Sequence, residues 1–273
     1  MRVVSLGDLG LDVVVRIRGD VAWGADTPAE VSLAAGGQGA NVAAWAAALG
    51  AEARWLGKRA ADGAGRLAAD ELERRGVELA GPVAPEGNGV IVSLVDATGE
   101  RSMFPARGVA TDLRPEELEP AWLVCDHLHV SGYALTADPV ASAATRAVEL
   151  ARQGGARVSV DLSSWSAIRE RGVHRFRALV EELRPEVVFA NEQEVEVFGG
   201  PLPGAVWILK RGAGGCSFDG EERAAVPVDA VVDTTGAGDA LAAGWIVGGP
   251  DLALEAAARC VQQAGAMPIP SAA

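Results

Sequence analysis

The stretch "DTTGAGDALAAGWIV", residues 233–247, decides how the rest of the chain is read. Two threonines and two glycines stand between Asp233 and Asp239, and an apolar run follows at once. A Gly-rich turn running into an apolar helix leaves backbone N–H groups free at the positive end of the helix dipole, which suits an anion. Gly236, Ala237 and Gly238 would form that seat. The carboxylate of Asp239 is an odd neighbour for a phosphate unless a protic group comes between them. A substrate hydroxyl meets the need: Asp239 accepts its proton while the amides stabilise charge on the phosphoryl group being transferred. Taken alone, the same residues also read as an acidic helix start behind a Gly turn.

Outward from this stretch, short β-branched runs alternate with Ala-rich stretches: "RVVSLG", "GANVAAWAAALG", "ARWLG", then "GAGRLAADELERRG". The alternation predicts a mostly parallel sheet covered by helices. Further strands are expected at 127–132, 157–162, 186–191 and 205–212, with helices over "DPVASAATRAVELARQGG" and "GVHRFRALVEELRP" between them. Two places break the rhythm. Residues 13–24 and about 89–108 read as strands without intervening helices, the second around the turn-like "DATGE". Together they are expected to form a small β-sheet flap over one edge of the main domain. No repeat or low-complexity linker divides the chain, so residues 1–273 read as one domain.

Composition narrows the function classes. With 49% hydrophobic residues in 273 there is ample material for a large core. Lysine and arginine number 24 against 37 acids, a formal charge of −13, which removes the electrostatic footprint of a nucleic-acid binder. A small anion can still be held by a few local donors. Cys125, Cys216 and Cys260 are scattered and odd in number, giving neither a disulfide framework nor a zinc spacing. His127 and His129 point the same way along a strand but have no third ligand nearby, and His174 stands apart, so polar residues at a sheet end are expected rather than metal ligands. The first residues carry Asp8 and Asp12 where a signal core would be apolar, and no run approaches the ~20 apolar residues of a membrane span. A soluble, cytoplasmic protein with no membrane partner is expected.

"DTTGAGDA" resembles, position for position, the C-terminal signature of the ribokinase-like (PfkB) carbohydrate kinases, and "GGQGANVAAWAAALG" at 36–50 resembles their N-terminal signature. "NEQE" at 191–194 and "KRGAGG" at 210–215 follow the family's Asn-x-x-Glu and Lys-x-Gly-x-x-Gly motifs in the same order. The resemblance implies a three-layer α/β/α Rossmann-like domain with a β-sheet lid that closes on the sugar and often mediates dimerisation. It implies an ATP- and Mg2+-dependent enzyme that phosphorylates a hydroxyl of a small sugar or sugar acid. Asp239 would be the catalytic base and Gly236, Ala237 and Gly238 the anion hole. Asn191 and Glu194 would organise magnesium and the ATP phosphates through water, as suits a metal that dehydrates reluctantly; Glu194 also reads as an ordinary helix-face acid. Lys210, Gly212, Gly215 and Thr235 would lie along the nucleotide, Lys210 alternatively being a solvated strand-end charge.

On the sugar side the resemblance assigns Asp12, Gly36, Gly37 and Asn41 to the substrate, with Asp8 as the competing early acid. Gln38 stands where ribokinases usually carry Lys, which disfavours ribose. "LHVSGYAL" and Arg107 look more like the 2-keto-3-deoxygluconate kinases, in which an Arg at about this point contacts the substrate carboxylate. The single Tyr of the chain, Tyr133, leaves that group's lid tyrosines missing, so Arg107 reads equally as structural. Potassium is suggested by family likeness alone, with Thr234 and Thr235, and the "GA" at 265–266, near where the cation loop would run. Two other readings stay open: a nucleoside kinase of the same superfamily, and a non-catalytic sugar or nucleotide sensor on the same fold.

Overall fold

The computed structural model describes residues 1–270. Seven strands form a parallel array in the order β6 (Glu78–Ala80), β4 (Glu52–Leu56), β1 (Arg2–Leu6), β10 (His127–Ser131), β11 (Arg157–Asp161), β12 (Val187–Asn191) and β13 (Val206–Lys210). The antiparallel pair β14 (Cys216–Phe218) and β15 (Glu221–Arg223) extends the β13 edge. The interior strands are apolar and buried on both faces, as a sheet with helices on either side requires.

Side chains alternate between two cores along each strand. Val4, Leu6, Val130, Val160 and Val188 point into one core, with α3 (Val140–Gln153), α5 (Val173–Leu183), and Phe198 of α6 (Glu192–Phe198). Val3, Trp55, Phe189 and Ile208 point into the other, against α1 (Gln38–Ala48), α2 (Gly63–Glu73), α7 (Ala237–Gly248) and α8 (Pro250–Val261). The result is the expected three-layer arrangement. Small side chains make its second layer tight: an added Cβ on Gly244 of α7 would lie 2.5–2.9 Å from the backbone of Leu252 and Ala253. Among the described residues no helix is long and apolar enough to cross a membrane.

A second sheet, ordered β3 (Ala29–Gly36), β2 (Gly10–Ile17), β8 (Gly89–Val95), β9 (Arg101–Ala106), is the flap. It differs from expectation in two ways. The strand expected over 13–24 runs instead from Gly10 to Ile17, and residues 18–24 are a loop, closed by Gly24 at φ +78° and by the Thr27 hydroxyl accepting the Ala22 N–H at 2.8 Å. The partner β3 lies in a segment not expected to be a strand. The second excursion matches better: β8 and β9 flank a turn in which the Asp96 carboxylate accepts the N–H groups of Thr98 and Glu100 at 2.8 and 3.0 Å. Two two-residue strands, β5 (Arg59–Ala60) and β7 (Val83–Ala84), pair beneath the flap, and α4 (Trp165–Arg171) precedes α5 where only one helix was expected.

Candidate active site

The parallel strands end their carboxyl edges in polar residues on one face: Ser131 on β10, Asp161 on β11, Asn191 on β12 and Lys210 on β13. The N-termini of α1 and α7 converge on the same edge, which is where open α/β sheets hold ligands. Helix α7 starts behind Gly236, at φ +80°, where an added Cβ would sit 2.5–2.7 Å from Ala266. Only glycine takes this turn; beyond it the Ala237 N–H donates to the Thr234 carbonyl at 3.3 Å, and Ala237 and Gly238 line a cavity.

Asp239 follows in the first turn. Its Oδ2 accepts from Asn41 Nδ2 at 2.7 Å, and burial raises its carboxyl to about 7 against the lowering effect of the Asn41 and Gln38 hydrogen bonds. The Gln38 amide oxygen in turn accepts the hydroxyls of Ser131 and Ser163, which fixes which end of the amide faces Asp239. Ser163 holds φ +69°, a costly conformation for a serine, here kept by its N–H bond to Asp161 at 2.8 Å. Asn41 is buried, and its Oδ1 has no partner among the described residues.

Lys210 reaches across to Asp161, Nζ to Oδ2 2.7 Å, with Asp161 1% exposed. Burial alone would lower the ammonium pKa, but Asp161, Glu194 and Asp239 outweigh it and raise it. An added Cβ on Gly238 would come within 3.5 Å of Lys210 Nζ, so the ammonium stands beside the start of α7. Asn191 and Glu194 form a reciprocal cap on α6: Asn191 N and Nδ2 each donate to a Glu194 oxygen at 2.8 Å, and Glu194 N donates to Asn191 Oδ1 at 2.9 Å. Glu194 is 2% exposed; burial pushes its pKa up while Lys210 pulls it down. A cavity of about 480 Å3 opens from Lys210 and Gly238, lined by Gly212, Gly215, Val226, Thr234, Ala237 and Leu241 among others. Its walls are mainly aliphatic, with Lys210 and Thr234 at the α7 end.

The flap carries Asp12, whose carboxyl burial and the nearby Glu71 raise to about 6. Asp12 has no hydrogen-bond donor among the described residues. An added Cβ on Gly36 would fall 2.2 Å from Asp12 Oδ2, so the carboxylate occupies space only glycine leaves; Gly37, at φ +100°, turns the chain into α1. Asp8 is instead held by Arg107 in a two-pronged pair, Nε to Oδ2 2.7 Å and Nη2 to Oδ1 2.8 Å. Arg107 also donates to the Thr136 hydroxyl at 2.9 Å and the Tyr133 carbonyl at 3.0 Å, which occupies most of its fork.

The structure thus joins Asn41 to Asp239 and sets Glu194, with its partner Asn191, and Asp239 near Lys210, with Gly212, Gly215, Ala237 and Gly238 lining the aliphatic arm, while Asp12 lies against Gly36, which leads through Gly37 into α1. Thr235 does not line that arm: its hydroxyl receives Arg101 from the flap, and Thr234 lines the cavity in its place. Gln38 was read only as the sugar-side position where ribokinases carry Lys, and neither its place beside Asp239 nor Asp161 and Ser163 were expected. An acid at the end of a buried strand, in "RVSVDL", is the one signal that pointed to Asp161. His127 Nε2 and His129 Nδ1 share the Ser159 hydroxyl at 2.8 and 2.9 Å, and burial lowers them to about 3 and about 4, so both are neutral.

A family model described as pfkB family carbohydrate kinase matches residues 2–271. The chain is 32% identical to an ATP-dependent ribose-1-phosphate kinase of Halopiger xanaduensis, over 95% of this chain and 90% of that one. It is 32% identical to fructokinase-1 of Oryza sativa subsp. japonica, over 87% and 80%. A solved structure described as a ribokinase II from E. coli in complex with ATP and Mg2+ superposes with a TM-score of 0.81 at 21% identity, covering 97% of this chain and 94% of that one.

Proposed function

The chain belongs to the pfkB family of carbohydrate kinases, and from that premise we propose that it phosphorylates a hydroxyl of a small neutral sugar from magnesium-bound ATP, with Asp239 as the base. The observation that carries the reading is the raised, buried carboxyl of Asp239 in the first turn of α7. A base poised near neutral pH takes the hydroxyl proton as the oxygen attacks phosphorus. The first-turn N–H groups of α7 then meet the charge on the transferring group, and Lys210 adds a positive charge beside them.

The nucleotide's apolar part suits the aliphatic arm, with its phosphates toward Gly238 and Lys210. When bound, magnesium neutralises charge on the phosphate oxygens. Both Glu194 oxygens already accept from Asn191, so this pair fits a metal held through water rather than by direct ligation. Asp12 and Asn41 Oδ1, which has no partner among the described residues, are acceptors suited to adjacent sugar hydroxyls. A sugar acid or phosphosugar suits the site poorly: it would meet Asp12 and Asp239, while Arg107 is already committed to Asp8. The whole chain acts as one catalytic unit in this reading, and the outward face of the flap, with Val31, Leu33 and Phe104 each more than half exposed, is where a second copy would pack.

The test is ADP formation with MgATP across neutral pentoses and hexoses, sugar acids, sugar phosphates and nucleosides, for the wild type and Asp239→Asn. Turnover is expected on a neutral sugar. Asp239→Asn should bind ATP and sugar but turn over about 10^3-fold or more slowly. A near-normal rate in that variant would sink the assignment of the base, and preferred turnover of a sugar acid, phosphosugar or nucleoside would overturn the substrate class. Sugar binding without ADP would indicate a sensor.

A further inference from the structure

Asp233 opens the same loop as Asp239, on its far side. Its side chain is 7% exposed, and both oxygens are in use: Oδ1 accepts the Thr235 N–H at 2.9 Å and Oδ2 the Gly265 N–H at 3.1 Å. The carboxylate therefore ties the loop leading into α7 to the segment after α8. These are the two segments where family likeness suggests potassium. The donor set does not fit a metal ion there. The charge of Asp233 is already met by Arg101, the first residue of β9, whose Nη2 lies 2.9 Å from Oδ1 and whose Nη1 donates to the Thr235 hydroxyl. A metal ion on the same oxygens would sit against a guanidinium of like charge.

We propose that Arg101 is the resident cation of this loop: a positioning residue, carried on the flap, that holds Asp233 and Thr235 so that the N–H groups at the start of α7 face the phosphoryl group, without any monovalent metal. Burial would raise the Asp233 carboxyl, but the bonds from Thr235, Arg101 and Gly265 outweigh it and hold it at about 2, so the pair is charged at any working pH. Arg101 stands at the tip of the β8–β9 hairpin, so the positive charge arrives with the flap. The anion hole is then fully set only when the flap covers the sugar, which favours transfer to the sugar over transfer to water.

The inference rests on the reading of residues 236–238 as the anion hole, and its test separates the two. Wild type, Arg101→Lys and Arg101→Ala are compared in choline, sodium and potassium chloride at equal ionic strength, by kcat and sugar KM and, independently of turnover, by melting temperature. Wild-type kcat should agree within about twofold among the salts. Arg101→Ala should lose about tenfold to a hundredfold in kcat in choline, with less change in KM, and recover in potassium, while Arg101→Lys stays within about fivefold of wild type. Potassium should raise the melting temperature of Arg101→Ala above that in choline and leave the wild type unchanged. Activation or stabilisation of the wild type by potassium over choline would overturn the proposal, as would an Arg101→Ala enzyme fully active in choline. Should Arg101→Ala not fold, the wild-type salt series and Arg101→Lys decide. If no sugar is phosphorylated, the kinase reading fails while the melting comparison still judges Arg101.

Discussion

Asp239 owes its raised pKa chiefly to burial, and Asn41 is the hydrogen bond that opposes it most. A carboxyl raised to about 7 is protonated, and useless as a base, at lower pH. kcat/KM should therefore fall as the pH drops through about 7 and level off above it. Asn41→Leu removes a bond that favours the carboxylate, so the same limb should move to higher pH. Rate profiles from pH 5.5 to 9 on both proteins check this, and a limb that stays put in the variant would assign it to another group. At this scale the sequence was readable where the candidate groups are neighbours: 236–239, proposed as seat and base, lie together at the start of α7. Gln38, Ser131, Asp161 and Ser163 were not readable, because their meeting depends on the sheet bringing three separate segments to one edge.

The start of α7 shows what one backbone angle sustains. Gly236→Ala would place a methyl 2.5 Å from the Ala266 carbonyl oxygen and force an L residue to φ +80°. A loss of about 2–4 kcal/mol is expected, with weaker nucleotide binding, measurable by urea unfolding and by ATP titration. Gly238→Ala, with nothing closer than 3.5 Å, should be far milder in stability and is the internal control. The alternation of β-branched and Ala-rich runs made six of the seven parallel strands legible to within a residue or two; the three-residue edge strand β6 was not expected. Strand β3 was not: "AEVSLAAG" carries one β-branched residue and earns its conformation by pairing with β2 from Gly10↔Gly36 to Ile17↔Ala29. The overlong 13–24 strand failed for the opposite reason, since Gly19 and Gly24 end what the valines began.

Among the described residues, one face of the flap sheet is left largely uncovered. In register, Leu33 and Val31 of β3, Val13 and Val15 of β2, Val92 and Leu94 of β8, and Phe104 of β9 share a face opposite to that of Asp12. A contiguous apolar face of this kind is expected to be covered by a second copy. Sedimentation should give about twice the 28.0 kDa chain mass. Leu33→Glu with Phe104→Glu, both on exposed positions, should give the single-chain mass with the fold intact; an unchanged mass would rule this face out.

The chain crosses between the main body and the flap four times, and the crossings lie in a row. Gly10 sits beside Gly36 on one side and Gly89 on the other, and an added Cβ on Gly89 would strike the Arg107 carbonyl at 2.9 Å, just before Gly108 at φ +54°. Three of the four crossings are glycines, and the fourth, Arg107, is anchored to the main body through Asp8, Thr136 and the Tyr133 carbonyl. Four attachments in a row resist sliding and twisting, so a movement of the flap would be a tilt about that line, made against the Arg107 anchor at its base and the Arg101 pair at its rim. Such a plate has a fixed arc, and every side chain it carries, from Asp12 near the fold to Arg101 at the rim, moves through a distance set by its position along the strand.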